Sequence, residues 1–211
     1  MNSTNANLIQ ALDAVRVEPV CDWVQKFCPV IGSKHGVPLY KVDEYAEYVR
    51  QPLEDCMPDS PVTNINFVAG IGAGKSELIS ALTQRNIKLG RTTLLANYTE
   101  NMLRKFLDSR LMPAIKLNRD ISHLIPEKGR ARVLKDRIVL DNMTLFTASM
   151  TLSQLQAVSV DCVIMDEIWL AKEEAGGLIR YAKGRGHDRA AFKFINVSQA
   201  SLAHSPWHHH V

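Results

Sequence analysis

The residues of this sequence best suited to chemistry lie in three short stretches. They are a glycine-rich run that ends in Lys75, Ser76 and Glu77, the adjacent carboxylates Asp166 and Glu167, and the polar pair Ser198-Gln199. The first follows a short apolar run, Ile65 to Ala69, and precedes an apolar pattern of helical period. Read as strand, loop and helix, it is a phosphate-binding loop. Gly70, Gly72 and Gly74 let the backbone curl so that its N–H groups face an anion, with Ile71 and Ala73 between them. The helix N-terminus adds its positive dipole end. Lys75 is placed for the β- and γ-phosphates of ATP, the Ser76 hydroxyl for Mg²⁺, and Glu77 closes the motif. The usual pattern, G-x-x-x-x-G-K-[ST], has Ala69 in place of its first glycine. A small residue keeps such a loop tight provided its φ stays negative.

Val163, Ile164 and Met165 lead into Asp166 and Glu167. An apolar strand ending in a carboxylate is the Walker B pattern, and Asp166 is the expected Mg²⁺ ligand alongside Ser76. A second carboxylate directly after it can orient and polarise a water against the γ-phosphate. Glu167 therefore points to ATP hydrolysis rather than transfer to a small substrate. Ser198 and Gln199 close another strand, where a polar pair can sense the γ-phosphate. Charge that develops there also needs a cation beyond Lys75, and Arg130, Arg132, Arg180, Arg185 and Arg189 are candidates for an arginine finger. The alternatives are a glycine-rich turn before an ordinary amphipathic helix for the loop, a solvated turn for Asp166-Glu167, a plain strand exit for Ser198-Gln199, and surface positions for the arginines.

These groups must be held by a fold. The chain has 211 residues, 46% hydrophobic and 22% charged, with net charge +3. That allows one globular domain with a sizeable core, and the mild basicity permits a nucleic-acid partner without requiring one. Cys21, Cys28, Cys56 and Cys162 show no metal-ligand spacing and read as free thiols in a reducing compartment. No apolar run approaches 18 residues, so neither a membrane span nor a secretion signal is expected.

Residues 3–16 have a helical stripe of Leu8, Ile9, Leu12 and Val15. Pro19 suits the first turn of a short helix that ends before Pro29, and a third begins near Asp43 and is broken or restarted at Pro52. Arg91–Tyr98 reads as a buried strand. Thr99 caps a helix through Leu111, with Pro113 near its end. A basic run with Lys128, Arg130, Arg132 and Lys135 reads as a solvated face or a nucleic-acid contact. Arg137–Leu140 and Met143–Ala148 flank a tight Asp141-Asn142 turn, Lys172–Arg185 reads as helix, and Phe192–Val197 as strand. His208, His209 and His210 read as a solvated tail. Alternating strands and helices predict a parallel sheet, with ligands at the carboxyl ends of its strands.

Several segments together resemble the ATPase half of phage terminase large subunits, in the lambda-type (GpA-like) branch. They are Gly74-Lys75-Ser76-Glu77, Asp166-Glu167 and the strand exit Ser198-Gln199-Ala200-Ser201. Asp22-Trp23-Val24, Tyr48-Val49-Arg50-Gln51-Pro52, Arg110-Leu111-Met112-Pro113 and Leu145–Ser149 add weaker matches. The resemblance implies an ASCE/RecA-like P-loop NTPase, a parallel-sheet sandwich with helices on both faces. It assigns residues 1–58 to an N-terminal helical flank and 59–211 to the ATPase core. Family members carry a further nuclease domain, so the chain reads as an ATPase-domain fragment or a split gene product. The implied activity is ATP hydrolysis with Mg²⁺, driving double-stranded DNA into a viral procapsid in the host cytoplasm. The implied partners are double-stranded DNA, a portal protein, the small terminase subunit and, when assembled, other copies in a ring, with a monomer as the reading for the isolated domain. Ser198 and Gln199 would couple γ-phosphate loss to motion, and Gln51 would contact adenine or simply end a helix.

Other readings stay open on the residues alone. A superfamily 2 helicase-like ATPase shares the motifs but needs a second RecA-like domain. A nucleotide-gated binding module would not need Glu167. A small-molecule kinase would carry an arginine-rich lid.

Overall fold

The structure, a computed structural model, describes residues 18–32, 36–126, 136–155 and 158–199. The expected helix over residues 3–16, the basic run from Lys128 to Lys135 and the C-terminal histidines lie outside those residues.

The apolar runs assemble as one six-stranded sheet. Its strands are β1 (Asn64–Val68), β2 (Thr93–Asn97), β3 (Arg137–Val139), β4 (Thr144–Ser149), β5 (Cys162–Asp166) and β6 (Lys193–Ser198). Their order is β1-β6-β5-β2-β4-β3. All neighbours are parallel except β3 and β4, the predicted hairpin, whose turn is closed by Leu140 N–H donating to the Met143 carbonyl at 2.9 Å. Central strands read as unbroken apolar runs because both faces are covered. Consecutive residues show this directly. Leu95, Ile164 and Ile195 join one buried cluster, while Leu94, Val163 and Phe194 join another.

The first cluster is shared with the N-terminal helices and the helix after the glycine-rich loop. Helix α1 (Val20–Phe27) buries Val20, Trp23 and Val24, and these pack in one cluster with Leu78, Ile79 and Leu82 of α4 (Lys75–Lys88). Trp23 donates its indole N–H to Asp120, and the Arg85 guanidinium lies over its ring at 5.1 Å. Two short helices, α2 (Val42–Tyr45) and α3 (Arg50–Asp55), complete the flank. Pro52 sits inside α3, so it restarts the helix rather than breaking it. All four cysteines are buried and unpaired, and burial raises their thiol pKa values.

The helix capped by Thr99 departs from expectation. Thr99 Oγ1 does accept the Met102 N–H, at 3.2 Å, and α5 covers Glu100–Phe106. The chain then widens into a π turn, Leu107–Leu111, and continues as α6 (Met112–Leu117). Pro113 therefore stands near the start of α6 instead of ending the rod. The wide turn accommodates a residue that brings no N–H and crowds the preceding carbonyls. Downstream, α7 (Leu152–Leu155) is a single turn and α8 covers Ala175–Lys183. The chain returns to β6 through a 3₁₀ turn at Gly184–Gly186.

Gly186 is buried there, and a Cβ at this position would lie 1.7 Å from the Phe192 ring. Gly186→Ala is expected to destabilise the fold by about 1–3 kcal/mol through overpacking. An unchanged urea midpoint would contradict this. Among the described residues, no helix is long and apolar enough to cross a membrane.

Candidate nucleotide site

Strands β1, β6 and β5 are neighbours, so the loop after β1, the Asp166-Glu167 pair and Ser198 all arrive at one carboxyl edge. The loop after β1 leads into α4 with Gly72 and Gly74 at φ 81° and 71°. That left-handed backbone suits glycine and turns successive N–H groups inward. Among the described residues only Glu167 is a non-glycine with positive φ, so Ala69 carries no strain. Its N–H donates to the Ser198 carbonyl at 3.0 Å, which ties the loop to β6. The Lys75 side chain lies along the loop, and its ammonium donates to the carbonyls of Ala69 (3.2 Å) and Gly70 (2.9 Å).

Asp166 ends β5 and Asn97 ends β2 beside it, in register. Asn97 Nδ2 donates to Asp166 Oδ2 at 2.9 Å. Burial, and then the Glu167 charge, push the Asp166 carboxyl up to about 7, while Lys75 pulls it down. An anion so disfavoured by burial and a like charge is one a divalent cation would relieve. With Ser76 at the start of α4, the donors fit Mg²⁺, whose shell phosphates and water would complete. No group of three or more His, Cys, Asp or Glu that could hold a metal occurs among the described residues.

Glu167 is held unusually. Its φ is 58°, its N–H donates to the Val197 carbonyl at 2.9 Å, and Trp169 Nε1 donates to its Oε2. Left-handed backbone in a glutamate is a strain that neighbouring structure must impose. Here β6 and Trp169 fix both ends of the residue. Ser198 is fully buried, and its Oγ has no hydrogen-bond partner among the described residues.

A cavity of about 490 Å³ opens over this edge. The loop from Ile71 through Glu77 lines it, with Glu167, Gln199 and Arg110. Asp166 and Ser198 are outside its lining, each one residue before a residue that lines it. A separate cavity of about 430 Å³, between α5 and the β2–β4 side of the sheet, contains none of these groups.

Among the arginine candidates, Arg130 and Arg132 lie outside the described residues. Arg180 is exposed on α8, Arg185 Nε donates to the Tyr181 carbonyl, and Arg189 pairs with Asp161 at the opposite end of β5. None of these three lines the cavity; Arg110 does. Gln51 is exposed and donates to Asp55 at 2.9 Å. Tyr48 is the flank residue nearer the loop. Its hydroxyl donates to the Ala73 carbonyl at 2.8 Å, its ring stacks on Phe67, and about half of it remains exposed. Tyr40 also points at Gly74, its buried hydroxyl 3.6 Å from where a Cβ would stand. Sequence reading missed Arg110, Tyr48, Trp169 and Asn97 as site residues. The available signal was that Tyr48 and Arg110 each open a segment resembling the family, Tyr48-Val49-Arg50-Gln51-Pro52 and Arg110-Leu111-Met112-Pro113.

The fold has known counterparts. The chain resembles the HK97 bacteriophage large terminase in structure, with TM-score 0.60 and 14% identity over 87% of this chain. It spans 37% of that protein's length. The large terminase of a thermophilic bacteriophage (TM-score 0.45, 15% identity, 65% of this chain and 35% of that one) is a fainter likeness. So is a chain of the bacteriophage Phi-29 viral genome packaging motor assembly (TM-score 0.45, 14% identity, 80% and 49%). No curated protein matches the sequence. The family model for the ATPase domain of phage terminase large subunit gpA matches residues 42–205, from α2 through the strand exit after β6. The chain belongs to the family of phage terminase large subunit gpA ATPase domains.

Proposed function

We propose that this chain is the ATP-hydrolysing motor part of a terminase that drives double-stranded DNA into a viral procapsid in the host cytoplasm. The observation that carries the reading is the convergence, on one cavity, of a phosphate-binding loop and a strained, doubly tethered glutamate. A switch that only binds nucleotide has no use for such a glutamate.

In this reading the N–H groups of residues 70–76 and the Lys75 ammonium hold the β- and γ-phosphates. Ser76 and Asp166 hold Mg²⁺, which when bound supplies charge neutralisation at the transferring phosphate. Glu167 accepts a hydrogen bond from the attacking water and orients it in line with the γ-phosphorus. Tyr48 supplies an exposed ring beside the loop on which adenine can stack, with Gln51 further along the same segment. Ser198 and Gln199 stand where loss of the γ-phosphate would first be felt, and Ala69 N–H joins that strand end to the loop. Portal protein, small terminase subunit and neighbouring copies in a ring are the partners this role requires.

The test is ATP binding and turnover by the chain at high protein concentration, with and without double-stranded DNA. Wild type is expected to bind Mg·ATP and to turn it over faster with DNA. Lys75→Ala should bind roughly 10–100-fold more weakly, the cost of losing a charged hydrogen bond to phosphate, and show no turnover. Binding without turnover in every condition would overturn the motor reading. Failure to bind any nucleotide would overturn the site.

A further inference from the structure

Arg110 has no part in the motifs that define the site, yet it reaches the cavity. It sits on the π turn Leu107–Leu111, between α5 and α6. A π turn inserts one residue into the helical repeat and so rotates the side chains that follow; such turns recur at functional sites. The rotation aims Arg110 at the N-terminus of α4, where its guanidinium donates to Glu77 Oε1. Glu77 is largely buried, its side chain 16% exposed against 44% for Arg110. The acceptor is therefore fixed by its surroundings. It directs a more exposed guanidinium to a wall shared with Lys75, Ser76 and Glu167. A simple surface ion pair would need neither the π turn nor a buried partner.

We propose that Arg110 contacts the γ-phosphate of ATP, as a catalytic arginine supplied by this same chain, with Glu77 as the residue that positions it. The guanidinium has five N–H donors in a planar fork. Donating to Glu77 leaves others for a phosphate oxygen, and the fork geometry suits such bidentate sharing. The inference rests on the cavity being the ATP site. It adds the cation that Lys75 alone does not provide for charge developing on the transferring phosphoryl group.

The experiment compares ATP and ADP affinity, and single-turnover hydrolysis, for wild type, Arg110→Ala, Arg110→Lys, Glu77→Gln and the double variant. A γ-phosphate contact touches ATP and not ADP. Arg110→Ala should therefore lower ATP affinity by roughly 10–100-fold, leave ADP affinity within about threefold, and slow hydrolysis by at least about 10³-fold. Arg110→Lys keeps a charge without the fork and should fall between. Glu77→Gln should lose part of the ATP preference, and the double variant should be no worse than Arg110→Ala, since both act through one group. An ATP-to-ADP affinity ratio unchanged in Arg110→Ala, while wild type binds both nucleotides, would overturn the assignment and leave the ATP site standing. Equal losses for ATP and ADP with a lowered melting temperature would also overturn it, in favour of a purely structural ion pair. Wild type that binds neither nucleotide would overturn the site and this inference together.

Discussion

Glu167→Gln is expected to bind ATP like wild type and to hydrolyse it about 10²–10⁴-fold more slowly, the contribution typical of a positioned general base. The amide keeps the size and the hydrogen bond from Trp169 but cannot take up a proton. Its φ of 58° is imposed by the bond to the Val197 carbonyl, which the substitution leaves in place. The backbone strain should therefore be the same in both proteins, and no misfolding should confuse the result. A second consequence follows from charge. Glu167 is the like charge that, after burial, raises the Asp166 carboxyl. Removing it should leave Asp166 more readily ionised and the fold slightly more stable, since function here is held against stability. Single-turnover hydrolysis and a thermal melt read the two effects. Turnover within threefold of wild type would show that Glu167 is not the base.

Much of the site was legible because its signals are local. Gly74-Lys75-Ser76 falls where strand gives way to helix, and Asp166-Glu167 closes an apolar run, so type and spacing identify both. The Asp141-Asn142 hairpin is legible for the same reason: two residues determine it. What the sequence hides depends on helical phase or on distance in the fold. Nothing about Arg110 reveals that a π turn redirects it to a cavity more than thirty positions upstream in sequence. Pro113 invites a helix end because the neighbouring wide turn that tolerates it leaves no composition signal. Gln51 attracts notice through the family resemblance of its segment, whereas Tyr48 reaches the loop because α3 and the turn before it seat the flank against β1. Asn97 matters only because β2 lies beside β5, and strand order is not written in any one strand.

The same non-local logic makes Arg91 a second strong prediction. Arg91 stands just before β2 and is buried. One guanidinium nitrogen donates to the Cys56 carbonyl (3.4 Å) and Asn86 Oδ1 (3.2 Å), the other to the carbonyls of Asp161 (3.1 Å) and Ala191 (2.7 Å). These acceptors belong to the end of the flank, the last turns of α4, and the entries to β5 and β6. One side chain thus pins the amino ends of two central strands to the helices that cover them. Arg91→Met keeps most of the volume and removes every donor. The carbonyls left dry would cost about 1–3 kcal/mol each if nothing else served them. Asp161's carbonyl also accepts the Lys193 N–H, and Lys193, whose ammonium is disfavoured by burial and by Arg91, gains from the loss. The net expectation is about 3–5 kcal/mol of destabilisation, in the range seen when a buried charge network is broken. At this chain length that lowers the melting temperature by about 6–20 °C. Arg91→Lys should recover only part of it, because a single ammonium cannot span acceptors on separate segments. Arg91 lies at the strand ends opposite the nucleotide cavity, so the folded fraction of Arg91→Met should bind ATP with wild-type affinity. A melting temperature within about 2 °C of wild type would mean that the sheet and its helices hold together without this tie. A loss of ATP affinity in the folded protein would mean that the two ends of the strands are coupled.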